Sequence, residues 1–190
     1  MDPFRAYLRQ FPGYTEASLE RAAERATAER FDAGEFLLRM GRTSDRIAFI
    51  RRGLFRQYYV VDGKEVTACF CREGTLTCSY QSLITQQPSD LAIEALEESD
   101  VLSLGYRDLQ ALYDADPFWQ QVGRMAAEQE YVVRERHARF LQDLSAAERY
   151  AAVLRDEPDL LQRVSLQHLA SYLQVAPETL SRVRKQAVRS

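Results

Sequence analysis

The sequence predicts an α+β protein with an antiparallel β-roll of the jelly-roll type at its N-terminal end. A long helix and a C-terminal helix-turn-helix domain that lacks an obvious wing follow the roll. Three patterns predict this order: short β-branched or aromatic runs between turn residues up to Leu104, unbroken helical periodicity after it, and two short helices at the end. The predicted domains are residues 1–116, 117–143 and 144–190.

Composition excludes several classes of protein. The chain has 190 residues, of which 46% are hydrophobic and 11% aromatic, so it is not intrinsically disordered. No apolar run approaches the roughly 18 residues that span a bilayer, and three cysteines do not suit a disulfide framework. A cytoplasmic protein without membrane contact is therefore expected. Formal charge is uneven: −5 over residues 1–116, −1 over 117–163 and +3 over 164–190.

The N-terminal half is predicted to begin with a helix over residues 14–30, with Thr15 as its N-cap. Strand-like runs follow it, and Asp62-Gly63 between two of them predicts a type I′ hairpin turn. The predicted strands are Glu35–Met40, Arg46–Arg51, Leu54–Val61, Glu65–Cys71, Asp90–Leu96 and Val101–Leu104.

The helical half contains a short helix over Asp108–Tyr113 and then a long one. Asp116 as N-cap and Pro117 at the first helical position open the long helix, which is predicted to run to about Leu144. Its apolar stripe favours pairing with a second copy of the chain, and packing on the β-roll is the alternative. The stripe consists of Phe118, Val122, Met125, Gln129, Val132, Val133 and Phe140.

Two helices close the chain, Leu166–Leu173 with Ser165 as N-cap and Pro177–Ala187. Their spacing is typical of a helix-turn-helix, in which Gln174 would need a positive φ. The outer face of the second helix would carry Glu178, Ser181, Arg182 and Lys185, a set that suits base reading and phosphate contact. An ordinary helical domain is the alternative.

Several segments of the chain resemble the CRP/FNR family of bacterial transcription regulators. Phe31–Glu35 is similar to the entry of the family's first strand, and Ile47–Gly53 to a later strand and its glycine turn. Leu144–Tyr150 resembles the hinge and the first helix of the family's DNA-binding domain, and Ala176–Arg182 resembles its recognition helix. The resemblance implies a homodimer bound to a pseudo-palindromic DNA site, with RNA polymerase as a further candidate partner.

The resemblance also implies roles for single residues. Glu178 and Arg182 match base-reading positions, and Ser165, Gln167 and Thr179 match phosphate contacts. Pro177 falls where the family often has a base-reading arginine, so one contact of the family is missing.

The effector pocket implied by the resemblance is degenerate. Family members that bind cyclic AMP carry Gly-Glu-Leu and Arg-Ser motifs, which align here with Cys78-Ser79-Tyr80 and with Ser89-Asp90. The phosphate-binding cation is missing, and Arg134 is its candidate substitute. The sequence therefore predicts a regulator that does not depend on cyclic AMP, whose effector is unidentified. A vestigial pocket filled by Tyr80, Gln81 and Gln86 is the alternative.

The sequence offers little support for redox, metal-binding or enzymatic functions. Cys69, Cys71 and Cys78 are predicted to be structural thiols, with a redox sensor as the alternative. No glycine-rich phosphate loop, nucleophile elbow or zinc-protease motif occurs, so neither an enzyme nor a metal or cofactor site is expected. The competing hypothesis is a sensor of cyclic nucleotides or other small molecules whose helical module binds protein rather than DNA.

Overall fold

The computed structural model describes residues 3–187. Eight strands precede the long helix and no strand follows Gly105 in this part of the chain, as the predicted fold class requires. The strands are β1 (Thr27–Phe31), β2 (Phe36–Leu38), β3 (Arg46–Arg52), β4 (Leu54–Val61), β5 (Lys64–Arg72), β6 (Leu76–Thr77), β7 (Leu91–Ala95) and β8 (Ser99–Gly105). The helices are α1 (Pro3–Leu8), α2 (Glu16–Ala23), α3 (Tyr80–Thr85), α4 (Tyr106–Ala115), α5 (Pro117–Asp143), α6 (Ala146–Asp156), α7 (Leu160–Arg163), α8 (Leu166–Tyr172) and α9 (Pro177–Ala187).

The strands form two four-stranded sheets, ordered β1-β8-β3-β6 and β2-β7-β4-β5. Strand β8 pairs antiparallel with both β1 and β3, which gives the first sheet its centre. The predicted turn between β4 and β5 is present: Asp62 and Gly63 have φ values of 50° and 73°. Two positive φ values in a two-residue loop are what a type I′ turn requires.

Glycine is obligatory at the turn between β3 and β4. Gly53 has a φ of 103°, and a Cβ atom placed on it would lie 2.0 Å from the Ser99 hydroxyl oxygen and 2.7 Å from the Ser99 Cα. Any side chain at this position would therefore collide with the backbone of Ser99. It would also strain the backbone of residue 53 itself, because the positive φ is unfavourable for residues other than glycine.

The predicted helix over residues 14–30 is wrong in its second half. Helix α2 ends at Ala23, and Thr27–Phe31 form β1, which pairs with β8 from Thr27 opposite Ser103 to Phe31 opposite Ser99. A neighbouring strand that needs hydrogen-bond partners outweighs the helical propensity of this alanine-rich segment. The predicted cap is confirmed, since the amide of Ser18 donates to the Thr15 hydroxyl at 3.1 Å. Helices α1, α3 and α7 and strand β6 were not predicted.

The chain divides into two compact units. The first takes in the chain up to Tyr58 and again Phe70–Glu128; the second takes in Tyr59–Cys69 and the chain from Gln129 onward. The tip of the β4–β5 hairpin and the second half of α5 thus belong to the unit that contains α8 and α9. None of the described helices combines the length and the apolar composition needed to cross a lipid bilayer.

The core of the first unit joins α1, α2, α4 and the start of α5 to the first sheet. Phe49 on β3 lies at its centre, with ring centroids 5.2 Å from Phe4 and 5.3 Å from Tyr7. Trp119 is buried in the same cluster, and its indole nitrogen donates to the Ser18 carbonyl at 3.2 Å. The predicted cap of α5 is confirmed, because the Phe118 amide donates to the Asp116 carboxylate at 3.0 Å.

Candidate functional site

The α8–α9 pair has the geometry of a helix-turn-helix. The Ser165 hydroxyl caps α8 by accepting a hydrogen bond from the His168 amide at 3.1 Å. Gln174 takes up the predicted left-handed conformation, with a φ of 51°. The chain then turns back, and the Val175 amide donates to the Ala170 carbonyl at 3.0 Å. A small buried alanine at the crossing allows the two helices to approach closely.

The pair is held by a compact apolar contact. Leu169, Ala170 and Leu173 from α8 and its C-terminal end, and Leu180 from α9, are each at most 3% exposed. Because these residues face inward at helical spacing, the opposite face of α9 is left to solvent.

The outer face of α9 carries the predicted DNA-reading residues. Glu178, Arg182 and Lys185 are exposed and lie four and then three residues apart, so they share one face. The Arg182 guanidinium donates to the Thr179 hydroxyl at 3.3 Å, which orients it on that face. Thr179 and Ser181 are half-buried, and Pro177 is exposed at the first helical position. Ser165 and Gln167 are exposed at the start of α8.

Helix α8 is also bonded to the tip of the β4–β5 hairpin within the second unit. The Ser171 hydroxyl accepts from the Thr67 amide at 2.8 Å and donates to the Glu65 carbonyl at 2.9 Å. Strand β5 is the outer strand of its sheet, so Ser171 takes the place of a neighbouring strand at this point. No local sequence pattern predicts this contact, because the two segments are about a hundred residues apart.

Aromatic stacking joins α8 to the second half of α5. The His137 ring stacks on Tyr172 with centroids 4.8 Å apart and on Phe140 at 5.7 Å. Burial, with a further contribution from the positive charge of Arg134, lowers the pKa of His137, so the imidazole is neutral in this stack. Burial likewise raises the pKa of the Tyr172 hydroxyl.

The two residues aligned with the charged positions of the cyclic-nucleotide motifs, Ser79 and Ser89, are neutral and paired with each other. Ser79 and Ser89 are at most 4% exposed, and their hydroxyl oxygens are 2.9 Å apart in a hydrogen bond. These are the positions at which the aligned motifs carry Glu and Arg. Asp90 is exposed, and Tyr80 is partly so. A buried phosphate needs a fixed cation, and this pair supplies none.

Polar side chains continue beside that pair. The Gln57 amide nitrogen donates to the Thr77 hydroxyl at 3.1 Å and to the Cys78 carbonyl at 3.3 Å. Arg134, the candidate substitute cation, lies in the second unit, where it forms an ion pair with Glu130 at 2.7 Å. Its charge is thus already balanced by a neighbouring carboxylate one helical turn away.

The predicted dimerisation stripe is divided between two environments. Phe118 and Val122 are buried in the core of the first unit, and Met125 packs against that core. These residues therefore do not lie on an exposed face, because the helical layer of their own chain covers them. Val132 and Val133 are exposed, together with Tyr131 at 70%. Gln129 is exposed, and Phe140 is half-buried.

The three cysteines are reduced thiols: Cys71 is buried, and Cys69 and Cys78 are half-buried. Within residues 3–187, no three His, Cys, Asp or Glu side chains are arranged to hold a metal ion.

Known proteins match this chain in sequence over one domain and in structure over nearly all of it. Residues 28–116 match the cyclic nucleotide-binding domain family. No curated protein sequence matches the chain at a significant level.

FixK2 from Bradyrhizobium japonicum is similar in structure with a TM-score of 0.73 at 21% identity, over 85% of this chain and 83% of that one. The c-di-GMP responsive global regulator CLP from Xanthomonas campestris has a TM-score of 0.72 at 19% identity, over 92% of both chains. A transcriptional regulator assigned to the crp/fnr family from Eubacterium rectale has a TM-score of 0.74 at 15% identity, over 95% of this chain and 88% of that one. The sequence match to the cyclic nucleotide-binding domain family thus covers residues 28–116, and the chain as a whole has the fold of the CRP/FNR transcription regulators.

Proposed function

We propose that this protein is a homodimeric transcription regulator that reads double-stranded DNA through α9 and does not depend on cyclic AMP. The observation that carries the proposal is the outer face of α9, where Glu178, Arg182 and Lys185 are exposed side by side. The protein acts by binding, and catalysis is no part of the proposal.

The chemistry of that face suits a base-reading helix. An arginine can donate two hydrogen bonds to a guanine edge in the major groove, and a lysine beside it can neutralise a phosphate. The Thr179 hydroxyl supports the Arg182 guanidinium, so less side-chain freedom is lost on binding. Ser165, Gln167, Thr179 and Ser181 are proposed to contact the backbone, and the +3 charge of residues 164–190 favours approach to it.

A second copy of the chain is proposed to pair along the second half of α5. Tyr131, Val132 and Val133 expose apolar surface there, and apolar residues in consecutive positions of a soluble helix favour contact with a partner. Two recognition helices related by a two-fold axis would read a pseudo-palindromic site with half-sites about 34 Å apart. RNA polymerase is the proposed partner of the bound dimer.

Independence of cyclic AMP is supported by the Ser79–Ser89 hydrogen bond. The aligned motifs use a carboxylate and a guanidinium at these positions, whereas two buried hydroxyls satisfy each other here. Titration calorimetry with cyclic AMP and with cyclic GMP is expected to show no binding heat. Saturable binding of either nucleotide would contradict this part of the proposal.

DNA reading is tested by selecting binding sites from a random duplex pool with the full chain at low salt. Enrichment of a two-fold-symmetric motif is expected. Arg182→Ala should then lose about 10- to 100-fold in affinity for the selected site and tolerate more bases at one position. Lys185→Ala should weaken specific and non-specific DNA equally and reduce the salt slope by about one.

Arg155→Ala is the matched control for these variants. It removes one positive charge from the same unit, but Arg155 lies on α6, where it pairs with Asp156 at 2.7 Å. Equal losses of DNA affinity for Arg155→Ala and Arg182→Ala would show that the effect arises from overall charge and not from base reading by Arg182. A folded, dimeric protein that enriches no DNA motif would favour the competing hypothesis of a sensor whose helical module binds protein.

Dimerisation is tested by Val132→Glu in sedimentation equilibrium. The substitution places a charge in the exposed apolar run of α5 and is expected to shift the protein to monomer. Leu154→Glu is the control, because Leu154 is an exposed apolar residue of similar accessibility on α6. A Val132→Glu protein that remains dimeric would contradict pairing along this helix.

A further inference from the structure

The first unit contains a cavity of about 380 Å³ between the first sheet and the helices that cover it. Pockets that bind small molecules begin at about 300 Å³, whereas voids in close-packed interiors rarely exceed the size of a water molecule. Strands β3, β6 and β8 form one wall, and helices α1, α3, α4 and α5 form the others, together with Ala22 of α2 and Ala26 beyond its end.

The cavity does not contain the Ser79–Ser89 pair, although Tyr80, which follows Ser79 in the aligned motif, lines it. Side chains alternate between the two faces of β3, and Ile47 and Phe49 line the cavity, so Ala48 lies on the other face. Neither Ser79 nor Ser89 lines it. The sequence did not predict this cavity, because part of its wall is α1, a helix that was not predicted.

The lining selects an uncharged and mostly apolar ligand. Aliphatic and aromatic side chains form most of its surface, and of the described lining residues Arg124 alone is charged. Arg124 is exposed and forms an ion pair with Glu128 at 2.6 Å. Burial raises the pKa values of Tyr7 and Tyr113 to about 12, so both hydroxyls keep their protons and can donate to a ligand.

The size and walls of the cavity fit a small molecule better than a helix of a second copy. An α-helix with its side chains is about 10–12 Å across, and a cavity of this volume accommodates only a few side chains. The exposed apolar run Tyr131–Val133 of α5 contributes nothing to the lining, so the surface proposed for dimerisation is a different one. The exposed residues Tyr80 and Ile84 of α3 lie at the mouth.

A ligand in this cavity would touch α5 directly. Trp119, Val122 and Gly123 of that helix line it. A Cβ atom on Gly123 would lie 2.5 Å from the Tyr113 hydroxyl oxygen, so glycine is needed for the Tyr113 ring to lie against the helix backbone. Helix α5 continues beyond Glu128 into the unit that contains α8 and α9.

We propose that this cavity binds an uncharged, predominantly apolar small molecule with one or two hydrogen-bonding groups, and that this molecule is the effector of the regulator. The binding site stands on the cavity alone, whereas the effector role rests on the proposed function. The two parts therefore need separate measurements.

Binding is measured with the uncharged aromatic dye N-phenyl-1-naphthylamine, titrated into the full chain without DNA. Trp119 is the chain's single tryptophan and lines the cavity, so energy transfer from it to the dye reports occupancy. Saturable transfer with one dye per chain is expected. Ala127→Phe and Ala26→Phe fill the cavity from two of its walls and should each weaken dye binding by about tenfold or more.

Ala111→Phe is the matched control, because Ala111 is exposed on α4 and does not line the cavity. It should bind the dye as the unaltered protein does, and circular dichroism should show all three variants folded. Transfer that does not saturate, or that both filled variants retain, would overturn the site. Loss of transfer as rising protein concentration drives dimerisation would place the second copy in the cavity and would also overturn it.

The effector role is measured as affinity for the selected DNA site. Ala127→Phe occupies the cavity permanently and is expected to change that affinity by about threefold or more, whereas Ala111→Phe leaves it unchanged. A filled variant that loses the dye but binds DNA normally would overturn the effector role and leave the site in place. A protein that binds the dye but no DNA under any condition would instead contradict the proposed function.

Discussion

The two compact units are built on different balances of forces. The first has an aromatic-rich interior in which Phe4, Phe49, Phe118 and Trp119 pack together. The second has a few buried aliphatic residues and relies on helix caps and on single side-chain hydrogen bonds such as those of Ser171. A small core contributes less burial per residue, so individual polar contacts form a larger share of its stability. The stability of the unit that positions α9 thus depends more on individual polar contacts.

Two optical signals separate the units experimentally. Trp119 lies in the first unit and is the chain's single tryptophan, so its fluorescence follows that unit. Far-UV circular dichroism follows the helices of both units. The comparison between the units can therefore be tested in one urea titration.

The largest expected effect is that of Gly53→Ala in the first unit. The added Cβ atom would collide with the backbone of Ser99, and the left-handed φ adds strain. The free energy of unfolding of the first unit should therefore fall by about 3 kcal/mol or more. Gly34→Ala is the control: its φ of 86° is equally strained, but nothing lies within 4 Å of the added atom. It should cost about 1 kcal/mol. If the tryptophan-detected titration showed equal losses of stability for the two variants, the close approach of Gly53 to Ser99 would be contradicted.

Leu173→Ala should have nearly as large an effect on the second unit. Leu173 is fully buried at the turn between α8 and α9, and truncating a buried leucine costs about 3 kcal/mol. The midpoint followed by circular dichroism should fall, while the early part of the tryptophan-detected transition stays in place. Coincident shifts of both signals would show that the two units unfold together and would contradict the expected difference between them.

Ser171→Ala should cost about 1 kcal/mol, because two hydrogen bonds to the edge of β5 are lost. The loss of this particular contact should be seen as faster hydrogen exchange at the Thr67 amide, because the amide loses the Ser171 hydroxyl as its acceptor. Ser145→Ala is the control: it removes the capping box of α6 at a similar cost of about 1 kcal/mol but leaves the hairpin contact intact. Unchanged exchange at Thr67 in Ser171→Ala would show that the contact is not formed in solution.

The smallest expected effect is a pH dependence of the second unit that arises from His137. Burial lowers the pKa of this histidine in the folded state, so the unfolded chain binds a proton more readily. Stability should be constant above about pH 7 and fall as the pH drops through the unfolded pKa of about 6.5. Below the folded pKa the fall should level off.

His137→Gln is expected to remove that pH dependence between pH 5 and 7, as measured by urea midpoints. Other charged residues, Arg136, Asp156 and Glu157, line the same small depression as His137 and are unchanged in the variant. A pH dependence that persists in the variant would assign it to another group.

Local signals predicted much of the fold. Helix α9 has the predicted bounds Pro177–Ala187, and the caps Thr15, Asp116 and Ser165 are all confirmed. Such features depend on residues a few positions apart, so the sequence contains the information directly. Strand β1 was missed because its partner β8 lies about seventy residues away and imposes the extended conformation on an alanine-rich segment.

The candidate site divides in the same way. The exposed positions of Glu178 and Arg182 follow from helical periodicity, and the neutral character of Ser79 and Ser89 can be read from the chain. The hydrogen bond between these serines, the contact of Ser171 with β5 and the cavity beside Trp119 arise only when distant segments meet. Sequence periodicity reports local structure only and does not predict contacts between distant segments.

The Ser79–Ser89 hydrogen bond has an evolutionary consequence. Either serine could mutate singly towards the Glu or Arg of the aligned motifs, but a lone charge at so buried a position would be unpaired and strongly destabilising. Only the double change gives both charges a partner. Acquisition of both charged residues by single substitutions would therefore pass through a destabilised protein.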